Sequence, residues 1–293
     1  MYFPTADISC NPLLPFATAV AVSFFTSMGG VSGAFLLLPF QMSVLGYTNP
    51  SVSATNQFYN IVACPSGVIR YWKEGRLVIP IATSIAIGTL PGVFLGAVIR
   101  INFLPNPSYF KVFAGFVLLY IGTRMLLTML KGRRSAAAAI TDKTVTIAEN
   151  SSGRILFEFN GCEYSVAKRK LMLLSLAVGL VGGIYGIGGG AIMSPFLVSF
   201  FGLPVYVVAG ATLMATALTS FGGVLFYSLL SLFYPGVSVA PDVLLGLIIG
   251  AGGMVGMYCG ARCQKHVPEK FIKGILILTL MIIAFRYITQ IFS

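Results

Sequence analysis

Residues 179–195 read GLVGGIYGIGGGAIMSP, seven glycines inside an apolar run that opens after Lys168, Arg169 and Lys170 and fades near Phe201. A glycine in a helix interior costs about 1 kcal/mol relative to alanine, so this cluster is expected to break its helix. A broken helix leaves backbone N–H and C=O groups unpaired. A bilayer tolerates that only where protein buries them or they line a cavity. A second copy lies earlier: Gly30 through Phe40 (GVSGAFLLLPF) aligns without gaps on Gly186 through Phe196 (GIGGGAIMSPF). Two interrupted apolar segments at matching places in two halves of a chain are the mark of a transporter binding site.

Two other readings compete for the same glycines. The run from Gly186 to Ala191 has the outline of a dinucleotide-binding turn. That turn needs a preceding strand and an acidic residue about 20 positions on. Here both flanks are apolar helix and no Asp or Glu occurs between Glu163 and Asp242. Close helix packing is the other reading, because Gly179/Gly183, Gly182/Gly186 and Gly186/Gly190 are small-xxx-small pairs. Packing explains one stretch well, but not why a break beside a proline occurs in both halves.

The solvent is set by composition. Apolar residues make up 57% and charged residues 9% of the chain, and mean hydropathy is +0.90. A soluble domain carries about 25% charged residues, so this is an integral membrane protein. The net charge of +11 does not imply nucleic acid, since the basic residues sit mainly at the ends of apolar runs. Cys10, Cys64, Cys162, Cys259 and Cys263 form no paired framework. Cys259, Cys263 and His266 lack a C-x-x-C spacing and make a poor metal set. No metal or cofactor is expected.

Along the chain, residues 1–12 lack the basic start of a cleaved signal peptide. Residues 13–45 form a first apolar run, broken at Gly29 and Gly30. Residues 51–69 predict a helix carrying Asn56, Gln57 and Asn60, with Pro65 as a kink. The basic loop 70–76 holds an interfacial Trp72 and Tyr71. Spans follow at 77–99 and 109–130. A polar insert opens at Lys131 and closes at Lys168–Lys170, and within it 144–148, 154–159 and 162–166 read as a small β-meander turning at 150–153 and at Asn160-Gly161. The second half runs 171–201 (broken), 204–233, 241–261 and 271–292. The expected divisions are a first membrane repeat over 1–134, the β-rich insert over 135–168 and a second membrane repeat over 169–293.

Charge bias tests the topology. A span needs about 20 residues, and the glycines cut 171–201 into two pieces of roughly 12 residues, each about 18 Å long. If that segment crossed once, the basic loop near Arg262 would lie outside. If it enters and leaves on one face, loops 70–76, 131–170 and 262–273 are all cytoplasmic, as the positive-inside rule requires. Both termini are then external. Each half becomes a re-entrant hairpin plus three spans in opposite orientation, an all-α inverted repeat of about eight apolar segments suited to alternating access.

Fragments beyond the glycines repeat as well. Ala54-Thr55 matches Ala211-Thr212, and Ile87-Gly88 and Gly96-Ala97 match Ile249-Gly250 and Gly260-Ala261 with small gaps. The chain resembles the sulfite exporter TauE/SafE family, also called the 4-toluene sulfonate uptake permease family. The resemblance rests on the paired Gly-rich segments with their following Pro, and is supported by the polar starts of the next helices and the basic midpoint break. It covers both membrane halves. It implies transport of sulfur-containing anions, including sulfite and organosulfonates, across the cytoplasmic membrane. The first motif departs from the pattern, with Val31-Ser32 and Ala34 where the second has Ile187-Gly188 and Gly190.

The residues themselves favour an anion. All eight acidic residues lie in the tail, the insert or at helix ends, whereas a cation site or proton relay would need a carboxylate within a span. Exposed N–H groups at a half-helix start carry roughly half an elementary positive charge and bind a carboxylate or sulfonate without a buried cation. Gly30, Ser32 and Gly33 offer one such start, and Gly186, Gly188, Gly189 and Gly190 the other. Ser53, Asn56 and Asn60 share one face of the following helix, and Thr212, Thr216 and Ser220 share a face of its counterpart. Ser and Thr in membrane helices also bond their own i−4 carbonyls, and Asn joins helices. A membrane enzyme would need convergent acid, base or metal ligands, which the sequence does not supply. An anion transporter is the expectation, and an anion channel or membrane scaffold stays open. The expected partners are a small anion and membrane lipid, without nucleic acid. Self-association is left open.

Overall fold

The computed structural model describes residues 1–28, 31–130, 145–151, 153–263, 267 and 269–289. A short hairpin, β1 (Tyr2–Phe3) and β2 (Ile8–Ser9), precedes α1 (Leu13–Met28) and α2 (Ala34–Ser43). Three long helices follow: α3 (Ser51–Lys73), α4 (Ile79–Asn102) and α5 (Pro107–Leu130). An antiparallel sheet of β3 (Val145–Asn150), β4 (Arg154–Phe159) and β5 (Cys162–Ala167) separates these from α6 (Lys168–Tyr185) and α7 (Gly189–Phe200). The described chain ends with α8 (Val205–Ser231), α9 (Val243–Cys263) and α10 (Glu269–Thr289).

Among the described residues, four helices are long and apolar enough to cross a membrane: α4, α5, α8 and α9, with shorter apolar stretches in α1, α2, α7 and α10. The exterior is apolar and much of the interior is polar. Phe116, Leu173, Phe221 and Phe285 are exposed, whereas Ser53, Asn56, Gln57, Asn60 and Thr216 are fully buried. That distribution suits a lipid solvent. Helix α3 is 23 residues long but falls outside the apolar set because its buried face carries amides and hydroxyls.

Packing pairs α4 with α6 and α1 with α9 most extensively; α3 packs on α8 and α9, α8 on α4, and α5 on α10. Glycines make the two tightest contacts. A Cβ at Gly92 or Gly96 would strike the backbone of Leu176 or Leu180. One at Gly252, Gly256 or Gly260 would strike the carbonyls of Phe16, Val20 or Phe24. Gly179 and Gly183 meet the α4 backbone at Thr89 and Val93 in the same way, so these members of the glycine cluster serve packing.

Hydrogen bonds tie loops into two ends. At one, the carboxylate of Asp242 accepts from the backbone N–H groups of Thr5 (3.2 Å), Ala6 (3.1 Å) and Leu245 (2.9 Å). The Asn49 amide donates to the Thr5 carbonyl over 3.3 Å at that end, and the Tyr234 hydroxyl meets Asn102. At the other, the Val145 N–H donates to the Gly75 carbonyl (2.8 Å), joining the sheet to the α3–α4 connection. Gly210, in the first turns of α8, lies against Tyr71 and Leu77 there. Within the sheet, Ile155, Phe157 and Phe159 share the buried face of β4. Asn160 and Gly161, both with positive φ, make the tight turn that an Asn-Gly pair favours.

Candidate functional site

The break between α6 and α7 is built on two backbone conformations that L side chains rarely adopt. Gly186 closes α6 at φ 80°, ψ 27°, and Gly188 precedes α7 at φ 71°, ψ 156°; glycine occupies both without a Cβ clash. The N–H groups of Gly186 and Ile187 both donate to the Gly182 carbonyl, ending the helix. Helix α6 has 18 residues, about 27 Å at 1.5 Å per residue, longer than the sequence suggested because it starts at Lys168, directly after β5. The first break joins Met28 to Ala34. Gly29 and Gly30 lie outside the described residues, and Gly33 is the residue before α2.

Both breaks are fastened to α3 by asparagines. The Asn56 amide donates to the carbonyls of Ala34 (2.9 Å) and Gly186 (3.0 Å), one on each side. One turn on, the Asn60 amide donates to the Ile187 carbonyl (3.1 Å) and to Ser220 Oγ (3.2 Å). Its own carbonyl accepts from Ser32 Oγ. Each asparagine therefore touches both interruptions. Ser53 completes the face, donating to the Ile184 carbonyl over 3.2 Å. The carbonyls that a broken helix leaves unpaired thus find side-chain donors, as a low-dielectric interior demands.

The first N–H groups of the half-helices meet hydroxyls. Ala34 N–H donates to Ser32 Oγ (3.2 Å), and Gly189 N–H to Thr219 Oγ1 (3.1 Å). These are places an anion's oxygen would take at a helix N-terminus. Thr212 and Thr216 stand differently. Their hydroxyls donate to the α8 carbonyls of Val208 (2.9 Å) and Thr212 (2.8 Å), while the backbone at both positions lies against Gly190. Gly189 lies against Thr89, and Gly33 has its Cβ position 2.6 Å from the Tyr59 hydroxyl.

The site is closed. The void between Val31 and Phe35 on one side and Ile187 and Pro195 on the other is about 10 Å³ and apolar, room for at most one water. No carboxylate enters it, since Asp242, the one buried carboxylate among the described residues, is at the hairpin end. Residues the sequence did not single out also belong here. Gln41 donates to the Asn56 carbonyl (3.2 Å), Thr219 caps α7, and Tyr59 bonds Ser23 (2.7 Å). Gln41 could have been found from its place directly after the first motif and Thr219 from its place three residues after Thr216; Tyr59, three residues after Asn56, is an aromatic that reads as packing and gives no polar signal.

Comparison with known proteins finds relatives named as membrane transporters. The chain is 23% identical over 307 residues to the "probable membrane transporter protein MamO" of Magnetospirillum gryphiswaldense, with 99% of this chain and 46% of that protein aligned. It therefore spans about half the length of that relative. It is 24% identical over 265 residues to the "probable membrane transporter protein YjnA" of Bacillus subtilis, covering 88% of this chain and 93% of the relative. No solved structure matches. The model of one family, described as sulfite exporter TauE/SafE, matches residues 15–287, taking in both helix breaks and everything between them. The chain is a multi-pass membrane protein of the sulfite exporter TauE/SafE family.

Proposed function

We propose that the protein is a secondary transporter that carries a small sulfur-containing or organic anion across the cytoplasmic membrane by alternating access, binding it between the two helix breaks. The observation that carries this reading is the bridging of both breaks by Asn56 and Asn60. A site held jointly by two hairpins can open to either side as one hairpin or the other withdraws.

An inverted repeat underlies the proposal, and the contacts support it. Exchanging α1–α5 for α6–α10 turns the α1–α9 contact into α6–α4 and the α3–α9 contact into α8–α4, all of which are present. The Tyr71 hydroxyl donates to the Ser27 carbonyl (3.2 Å) and the Tyr227 hydroxyl to the Gly183 carbonyl (3.0 Å). Ser27 and Gly183 are 156 residues apart, and so are Tyr71 and Tyr227. The same offset pairs Asn56 with Thr212 and Asn60 with Thr216. Re-entrance is supported too: Asn49, just after α2, bonds the hairpin that precedes α1. Gly210, in the first turns of α8 after the second hairpin, lies near the α3–α4 connection where the sheet docks. That connection carries Arg70, Lys73 and Arg76, with Glu74 paired to both arginines, so the positive-inside rule assigns it to the cytoplasm.

The test is transport by purified protein in sealed liposomes, using sulfite, methanesulfonate and acetate with and without trans anion. Saturable uptake accelerated by trans anion is expected. Asn60→Leu should weaken binding by about 1–3 kcal/mol, roughly 5- to 150-fold, because it strands buried polar partners. Uptake that rises linearly with concentration and ignores trans anion would mark a channel.

A further inference from the structure

We infer that Arg100, together with the unpartnered Gln57 against the same face of α8, is an oxyanion-binding site of the transport path. The inference rests on the transporter reading above. Arg100 lies near the end of α4 yet is fully buried. Its Nη1 donates to the Leu104 carbonyl, and its guanidinium carbon sits 3.8 Å from the Phe110 ring centroid. Its Nε and Nη2 are buried without a hydrogen-bond partner. Among the described residues no carboxylate pairs with it, and Asp242 is engaged by three backbone N–H groups. A buried cation with no counter-ion is an unfavourable arrangement that a bound anion would relieve.

The geometry of the open positions specifies the ligand. Nε–H and Nη2–H lie on the same edge of the planar guanidinium and form the fork that grips two oxygens of one carboxylate, sulfite or sulfonate. The Nη1 bond and the stacking on Phe110 fix the plane, leaving that edge for the ligand.

A second unpartnered group lies on the same seam. Gln57 is fully buried, and neither its Nε2 nor its Oε1 has a partner. Its amide lies directly against Gly223 of α8. Ser220, Gly223 and Tyr227 follow one face of α8. Ser220 bonds Asn60, Gly223 meets Gln57, and Tyr227 packs with Ala54, Ala97 and Ile101, neighbours of Arg100 on α4 and of Ser53 on α3. Down α8 from the Asn102–Tyr234 end, Tyr227, Gly223 and Ser220 thus lead from the neighbours of Arg100 to Gln57 and Asn60, with Gln57 level with the breaks between Asn56 and Asn60. The anion docks at the guanidinium and passes by way of the Gln57 amide to the asparagines.

Binding to the purified, folded protein tests this, with methanesulfonate, sulfite, chloride and neutral dimethyl sulfone as probes. Wild type should bind the oxyanions well above chloride and ignore the sulfone. Arg100→Met should weaken oxyanion binding about 30-fold or more, the usual loss when one member of a buried charged pair is removed. Arg100→Lys, which keeps the charge without the fork, should lose most of the preference for methanesulfonate over chloride. Gln57→Leu should give a smaller loss, about 5-fold. If Arg100→Met does not fold, the Lys variant decides. A Lys variant with wild-type affinity and wild-type selectivity would overturn the inference and leave Arg100 as a cap for Leu104. If the Arg100 variants bind normally while Asn60→Leu does not, Arg100 is excluded and the site between the breaks stands. Failure of every anion to bind wild type would instead sink the transporter reading itself.

Discussion

At Gly189 a single Cβ would strike the side chain of Thr89. Gly189→Ala is therefore expected to destabilise the protein by about 1–3 kcal/mol through overpacking. Thr89→Gly should restore part of that loss, read as melting temperature in detergent. The pair matters because a bulky substitution at Gly189 would abolish binding through misfolding as readily as through blocking an anion. Asn56 and Asn60 were legible from the sequence because buried amides at i, i+4 spacing declare a shared face. Arg100 was not: at the end of an apolar run it reads as the start of a loop. Its burial depends on Phe110 and Tyr227, which only the packed fold brings near. Gln57 was visible, four residues after Ser53 and three before Asn60, but its significance came from Gly223 of α8.

Among the elements, the α6–α7 interruption was the most legible, since glycine density is a local property and Gly186 and Gly188 carry the turn themselves. The length of α6 was less so, because the junction with β5 depends on how the sheet docks. The strands near 145, 154 and 162 were readable from alternation and from the Asn160-Gly161 turn. Helix pairing was hidden in part. The glycines of α4 at 88, 92 and 96 and of α9 at 252, 256 and 260 share a spacing of four, a register that a shorter match with gaps obscures. The sheet joins the helices at the Gly75 carbonyl, by continuity into α6 and through the buried Ile155, Phe157, Phe159 and Val166, beyond the C-terminal end of α3 and away from the Asn56–Asn60 stretch that holds the breaks. Replacing residues 135–167 with a Gly/Ser linker should therefore leave anion affinity within about 2-fold of wild type, within the roughly 0.5 kcal/mol by which distant sites couple. Titration of the folded variant would show it; a lost affinity would mean that the sheet holds the hairpins in place.

For the whole molecule, the proposed topology has the sheet inside the cell and both termini outside. On a background lacking native cysteines, Ser151→Cys should resist an impermeant thiol reagent in intact cells and react in inside-out vesicles. Ser108→Cys should do the reverse, and equal labelling of both from outside would reject the orientation. The double hold of Asn56 and Asn60 has an electrical consequence. In the proposed cycle, the asparagine donors freed when one hairpin withdraws stay on α3 beside the carbonyls of the other, so α3 grips the closed side while the open side hydrates. In that cycle the two hairpins then do not part together, and no continuous water file crosses the membrane. In a planar bilayer, wild type should show no leak current, while Asn56→Leu combined with Asn60→Leu should conduct ions even with no substrate present.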